Sequence, residues 1–252
     1  EFLKLCEETI ETFTQAMRKT ARRVGLSCDY DREYLTDSPA YRTVTQSIFI
    51  ELFKNGAIIE DLRPNIYDPV EGTTIADAEV ERQSRKTRLV DVKWVCDDGT
   101  EIVISTTRPE LICACGVVVV HPDDERYTHL VGKTIQLPLP VEGRSTSVEI
   151  RTHASVKSDF GSGVLMVCSF GDQNDVAIFR ELGLTPFQAI NLEGKLTELA
   201  GPFADMKVYE ARNAAIEYLE EQGKIINIVE REQEIPVSER GKNPVEIILL
   251  KE

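Results

Sequence analysis

Apolar positions at Cys6, Ile10, Phe13, Met17, Ala21 and Val24 recur in steps of three and four, which predicts an amphipathic helix over 2–24 closed by Gly25. Asp37-Ser38-Pro39 has the composition of a helix start. The helix it opens places Val44, Ile48, Phe49, Leu52 and Phe53 on one buried stripe and stops at Gly56. From Ala57 the texture changes to short runs with a period of two. Strands are predicted at 58–60, 87–96 and 100–106, the last two joined by the hairpin turn Asp97-Asp98-Gly99, with a proline-bearing loop over 62–72. The continuous apolar run 116–121 suits a strand buried on both faces. A helical turn over 123–131 follows, then strands at 134–137, 147–152 and 164–168. The C-terminal third predicts helices over 175–182 and 206–222, strands over 187–190 and 225–229, and an apolar run, 244–250, expected to need a partner outside the chain. So many short strands between two helical ends indicate an α+β fold with a closed or sharply curled, β-barrel-like centre.

Composition narrows the function. The 252 residues carry a formal charge of -14, which argues against broad binding along a nucleic-acid backbone but leaves room for a pocket taking one strand end. The cluster Arg18, Lys19, Arg22 and Arg23 reads as a solvated helix face. No apolar run reaches membrane-spanning length, and acids interrupt the first residues where a signal peptide would be apolar. A cytoplasmic protein with reduced thiols is expected, its six cysteines lying mostly in apolar stretches. The start without Met and the end at Glu252 suggest an internal fragment.

Two stretches carry the candidate chemistry. In the first, Thr106-Thr107-Arg108-Pro109-Glu110 follows an alternating strand. It reads either as a strand end leading into a helix start or as two hydroxyls and a guanidinium offered to a polar ligand. The second runs from Asp159 to Asp175. Its Gly161-Ser162-Gly163 turn lacks the ending of a phosphate loop. Asp172 and Asp175, one helical turn apart, read as caps or as a carboxylate pair facing a substrate hydroxyl or ammonium and orienting water. His121, His129 and His153 stand near no cysteine or carboxylate pattern of a triad or metal site. With G-x-S-x-G and H-E-x-x-H also missing, any hydrolysis must use positioned water and polar groups.

These residues resemble the editing domain inserted in valyl-tRNA synthetases, particularly the archaeal form. The resemblance rests on STTRPELICACGVVVVHPDDERYTHLVGKTIQLPL, FGSGVLMVCSFGDQNDV and GTTIADAEVE, and extends from LSCDYDREY and RPNIYDP to PVEIILLKE. The pair D-x-x-D at Asp172 and Asp175 is the valyl pattern, where isoleucyl and leucyl relatives differ. The resemblance implies hydrolysis of the threonyl ester on mischarged tRNA, with Asp172 and Asp175 reading the threonine hydroxyl. It places contacts to the substrate backbone and terminal adenosine on Thr106, Thr107 and Arg108. Met166 stands at a substrate-binding position where bacterial members carry lysine, so an ammonium contact is absent or supplied elsewhere. Asp68 and Glu71 replace the cysteines of W-C-P-x-C-G, so no metal is expected, and no cofactor. The signatures of the amino-acid-activating site are missing as well. The expected organisation is a helical arm over 1–70, an editing domain over 71–231 and a return linker over 232–252, with the tRNA 3′ end and the rest of the synthetase as partners. The rival readings are a non-catalytic module docking the tRNA 3′ end or a protein, and the editing domain of an isoleucyl or leucyl enzyme.

Overall fold

Both predicted N-terminal helices form, α1 over Phe2–Arg23 and α2 over Pro39–Lys54. Ser38 caps α2, its hydroxyl oxygen accepting from the Tyr41 amide at 3.3 Å, and Pro39 occupies the first turn, where its missing N–H costs nothing. The basic cluster is partly paired: Arg18 meets Glu33 at 2.6 Å, and Arg22 stacks on Tyr30 at 4.7 Å. The expected burial does not occur. Neither helix buries a residue, and Val44, Ile48, Phe49, Leu52 and Phe53 are 41–60% exposed. The computed structural model describes residues 1–252 as two units, Glu1–Glu60 and Asp61–Glu252, and the first is too small to enclose its own apolar stripes.

The second unit contains ten strands: β1 (Leu62–Asp68), β2 (Thr73–Thr74), β3 (Val80–Cys96), β4 (Glu101–Thr106), β5 (Cys115–Val120), β6 (Thr134–Gln136), β7 (Ser147–Thr152), β8 (Val164–Cys168), β9 (Ile225–Ser238) and β10 (Glu246–Lys251). Helix α3 (Gln173–Glu181) follows β8, and α4 (Val208–Glu221) precedes β9. One sheet has the order β4-β3-β6-β7-β5-β8, with β9 added on β3; a smaller one has the order β10-β1-β2. Only β5 and β7 pair in parallel. The terminal strands β4 and β8 lie against each other, so the large sheet curls into a half-barrel, as the short-strand pattern predicts.

Several local expectations are corrected. Residues 62–68 form a strand rather than a loop. Pro64 is tolerated because β2 pairs only with Tyr67 and Asp68, leaving an edge where its missing N–H can lie. The apolar run near 244–250 needs no outside partner, since β10 pairs with β1 from Leu62↔Lys251 to Tyr67↔Glu246. Strands β3 and β9 outrun their predicted lengths because each supplies the other's ladder from Val80↔Ser238 onward. Their polar outer halves show no alternation because neither face is covered there. No strand forms at 58–60 or 187–190, and the turn near 123–131 shrinks to a 3₁₀ turn at Thr128–Leu130.

The main core gathers Trp94, Ile104, Ile112, Ile135, Ile150 and Leu219. A second, smaller cluster joins Val117, Val119 and Val167 to Ile178 and Phe179 of α3. Strand β5 serves both, with Val118 and Val120 facing one and Val117 and Val119 the other, as its unbroken apolar run predicts. Gly116 sets the position of α3, because a Cβ there would lie 2.3 Å from Cζ of Phe179. Burial of Ile178 and Phe179 contributes about 1.5–3 kcal/mol each to seating the helix. No helix is long and apolar enough to cross a membrane.

Candidate functional site

The two sequence stretches come together where β4 and β8 end. Gly161 has φ +56, and a Cβ on it would lie 2.9 Å from the Ser105 hydroxyl oxygen, so the Phe160–Gly163 turn lies directly against the end of β4. That turn is tied from the other side by Tyr127, whose hydroxyl donates to the Ser162 carbonyl at 2.8 Å. Arg126 ties it too, bridging Asp124 and the Ser158 carbonyl at 2.6 and 2.8 Å. Ten residues past Gly161, the Gly171 carbonyl accepts from Nη1 of Arg108 at 3.2 Å. Thr106, Thr107, Arg108, Asp172 and Asp175 therefore belong to one neighbourhood.

Asp172 caps α3, its Oδ1 accepting from the Asp175 amide at 2.8 Å while the residue stays exposed. Asp175 is bound differently. Its Oδ2 accepts from the Cys168 amide at 3.1 Å, and the carboxylate lies so close to Gly171 that a Cβ there would be 2.2 Å from Oδ2. Its Oδ1 has no partner in the chain and is not sealed from solvent. Burial, followed by the neighbouring Asp172 carboxylate, pushes the Asp175 acid well above the usual carboxylate range, against the Cys168 amide and Arg108, which favour the anion. One oxygen is thus held by the fold and the other is open.

Thr106 is buried and its Oγ1 accepts from the Arg108 amide at 3.0 Å, fixing the turn after β4 and leaving the hydroxyl proton to donate. Thr107 is half-buried, with no hydrogen bond to its hydroxyl. Met166 is buried on β8 opposite Val118, within the main core cluster.

Arg108 is more heavily engaged than a free anion fork would be. Nε donates to Glu110 at 3.1 Å, Nη2 to Glu246 at 2.8 Å and Nη1 to Gly171, so two of its five N–H groups remain. Burial would lower its pKa, but Glu246 and Glu110 outweigh this and hold it charged. Glu110 is fully buried and receives a second guanidinium, Arg212 of α4, at 3.0 and 2.7 Å in a two-pronged contact. Burial works to raise the Glu110 pKa, yet Arg212 and Arg108 together pull it below the usual range. This Arg212–Glu110–Arg108–Glu246 chain ties α4, the β4 turn and β10 to the loop that carries the aspartates. Lysine at 108 could serve one of these carboxylates but not all three acceptors. Arg108→Lys is expected to lower both melting temperature and turnover of any substrate at this site, and a variant matching the parent in both would remove Arg108 from the positioning role.

The thiols belong to the core. Cys96, Cys113, Cys115 and Cys168 are buried, and burial pushes Cys113 and Cys115 up to about 12, far from a nucleophile's range. His153 pairs with Ser155 and Glu181 at 2.7 and 3.2 Å and supplies no base to the aspartates. Where relatives are expected to carry a cysteine, Asp68 closes the same turn with its own carboxylate. Oδ1 accepts from the Val70 and Glu71 amides and Oδ2 from Ser238 and Asn243, so both oxygens are occupied within the chain. The sequence pointed to the aspartates and to the T-T-R turn. It did not reveal Arg212 or Glu246, whose partners lie far away along the chain, or the Cys168 amide, which only the fold turns back onto Asp175.

The sequence model of the class I tRNA synthetases (I, L, M and V) matches residues 1–232. Among curated proteins, the valine–tRNA ligase of Archaeoglobus fulgidus is 42% identical over 249 residues, 98% of this chain and 28% of the relative. The valine–tRNA ligase of Aeropyrum pernix is 41% identical over 98% of this chain and 30% of its own length; that of Nanoarchaeum equitans is 40% identical over 100% and 33%. The chain therefore spans about a third or less of each of these ligases. With a family match over nine-tenths of its length and valine–tRNA ligases as its relatives, the chain belongs to the class I tRNA synthetases, as a segment of the valyl type.

Proposed function

We propose that this segment is the proofreading module of a valine–tRNA ligase, hydrolysing the threonyl ester of mischarged tRNA. A site built for valine rejects isosteric threonine poorly, so a second site that reads the hydroxyl is chemically called for. The observation that carries the reading is Asp175, with one carboxylate oxygen fixed by the Cys168 amide and the other unpartnered at a helix start. A threonine hydroxyl both donates and accepts, so it can satisfy that oxygen whether Asp175 is ionised or protonated. A valine methyl can do neither and would leave it desolvated. Thr106 and Thr107 offer hydroxyls to the ester and adenosine side, and Arg108 holds the loop that presents Asp175, while Met166, packed in the main core cluster, supports β8 rather than touching substrate. With the core thiols Cys113 and Cys115 held protonated and no histidine bonded to the aspartates, the reaction is attack by a positioned water on the ester carbonyl, releasing threonine and the terminal ribose hydroxyl.

The test is single-turnover deacylation of threonyl- and valyl-tRNA(Val) by the 252-residue chain. Threonine release well above the spontaneous rate, with valyl ester spared, supports the reading. Retention of the tRNA end without turnover would leave a docking module instead.

The exposed apolar stripes of α1 and α2 fit the same reading as surfaces covered by the remainder of a synthetase polypeptide, since the related ligases are about three times longer. In hydrogen exchange, α1 and α2 amides should be strongly protected in the full ligase and weakly protected in this chain. Equal protection in both would leave those faces without that partner.

A further inference from the structure

The run from Ser105 to Arg108 passes two walls of the candidate site. Ser105 lies against Gly161 of the Phe160–Gly163 turn, and Arg108 donates to the Gly171 carbonyl in the loop before α3. Thr106 and Thr107 stand between them. The walls are kept apart by β8, whose 5 residues span roughly 16 Å. The wall at Asp175 is fixed by the Cys168 amide and by Arg108. The other wall is made from a stretch with little of its own to hold it in place. Gly161 and Gly163 have φ +56 and +80, and Phe160 is 53% exposed. The backbone bonds Phe160 N–H to Lys157 and Gly163 N–H to Phe160, and that of the Val164 amide to Ser162 Oγ, all close within 157–164.

What holds this wall comes from the connection between β5 and β6. Asp124 is buried, and its carboxylate receives Nε and Nη2 of Arg126 at 2.8 and 2.6 Å, which aims the same Nη2 at the Ser158 carbonyl. Gly163 makes room for this contact, since a Cβ there would lie 2.5 Å from that nitrogen. Tyr127 packs against the main core and sends its hydroxyl to the Ser162 carbonyl. On the far side Ser105 is itself fixed, its hydroxyl donating to Asp91 of β3 at 2.6 Å. The turn is thus clamped between a core-anchored tyrosine and a serine locked to the neighbouring strand. For so exposed a stretch these ties bury little apolar surface; what they fix is a distance.

We propose that Tyr127 and Arg126 are positioning residues of the hydrolytic site: by holding the Phe160–Gly163 turn against the end of β4, they set the width of the trough that receives the substrate. The inference rests on the proofreading reading for what the trough receives, not for the clamp itself. It separates binding from chemistry. Loosening the turn widens the end remote from Asp175, so affinity falls, whereas Asp175 keeps its own supports.

The experiment uses Tyr127→Phe in the 252-residue chain, which removes one hydroxyl and leaves the ring in the core. In single-turnover deacylation of threonyl-tRNA(Val) over a range of enzyme concentrations, the half-saturating concentration should rise about threefold to tenfold, as for one lost hydrogen bond, with the rate at saturation unchanged. Hydrogen exchange at the Gly163 and Val164 amides should quicken by a similar factor, while β5 and β7 keep the parent's protection. The Asp124→Asn/Arg126→Gln double variant, which keeps two hydrogen-bonding groups without their charges, should shift both measurements in the same direction. Tyr218→Phe is the control: Tyr218 packs on the same core with no hydrogen bond to its hydroxyl, and its variant should shift neither. An unchanged half-saturation in Tyr127→Phe, a fall in the saturated rate without a change in half-saturation, or an equal shift in the control would each overturn the proposal. If the parent releases no threonine, the proofreading reading falls, and exchange at Gly163 and Val164 still judges the clamp.

Discussion

Replacing Glu110 by alanine is expected to lower the melting temperature of the Asp61–Glu252 unit by roughly 6–12 °C. Glu110 has no exposed side-chain surface and bonds to Arg108 and Arg212, each about a quarter exposed. Removing one member of a buried ion pair strands the other charge, at a cost of about 3–5 kcal/mol, and the partial exposure of both arginines puts this case at the lower end. About 3 kcal/mol in a unit of this size corresponds to the shift given. The pH dependence has a definite sign. The folded state holds the Glu110 pKa below its ordinary value, so its contribution is present above about pH 4.3, the unfolded value, and is lost as the acid range is entered. The parent-minus-variant difference in Tm should therefore be largest near neutrality and shrink on acidification. A Glu110→Ala protein that melts with the parent at pH 7 would show that α4 and the β4 turn are held by apolar packing alone.

How much of this was legible follows the range of each interaction. Periodicity found α1, α2, β5, β7 and β8 because their patterns are local, and the D-G turn announced the β3–β4 hairpin. The failures at β1, β10 and the outer halves of β3 and β9 share one cause. Strand β1 was hidden by Pro64, and β10 lacked a visible partner, because each is specified by the other from opposite ends of the second unit. The outer halves of β3 and β9 carry charged and polar residues on both faces, so only their mutual ladder makes them strands. At the site, Asp172 and Asp175 could be picked out by their spacing before an apolar run, but not which of them would be buried. That is decided by Gly171 and the Cys168 amide, and by Gly116 letting Phe179 settle α3 onto β5. Arg108 looked like a free fork in the sequence because Glu246, one of the carboxylates that engage it, lies on β10.

Asp175→Ala is expected to slow threonyl-tRNA hydrolysis by about one to two decades and to narrow the preference for threonyl over valyl ester. A hydrogen bond to a charged group is worth about 1.5–3 kcal/mol, which appears in the rate to the extent that the contact tightens toward the transition state. Discrimination narrows because the acceptor that valine leaves unpaired has gone. Alanine also removes the partner of the Cys168 amide, so Asp175→Asn serves as the cleaner companion. Its amide oxygen can keep that contact while its NH2 replaces the open acceptor with a donor. The two roles of Asp175 then separate by stability. Burial holds the Asp175 pKa above its unfolded value, so its folded state is favoured most below about pH 3.9 and loses ground as pH rises through the folded pKa. The asparagine variant escapes that loss. Its Tm should match the parent in acid and exceed it increasingly toward neutral pH, while threonyl ester turnover falls. A residue kept at a cost in stability is one retained for chemistry. If Asp175→Asn instead melts earlier at pH 7 and both variants keep the parent's threonine-to-valine rate ratio, Asp175 is a structural element of the α3 start and the hydroxyl is read elsewhere.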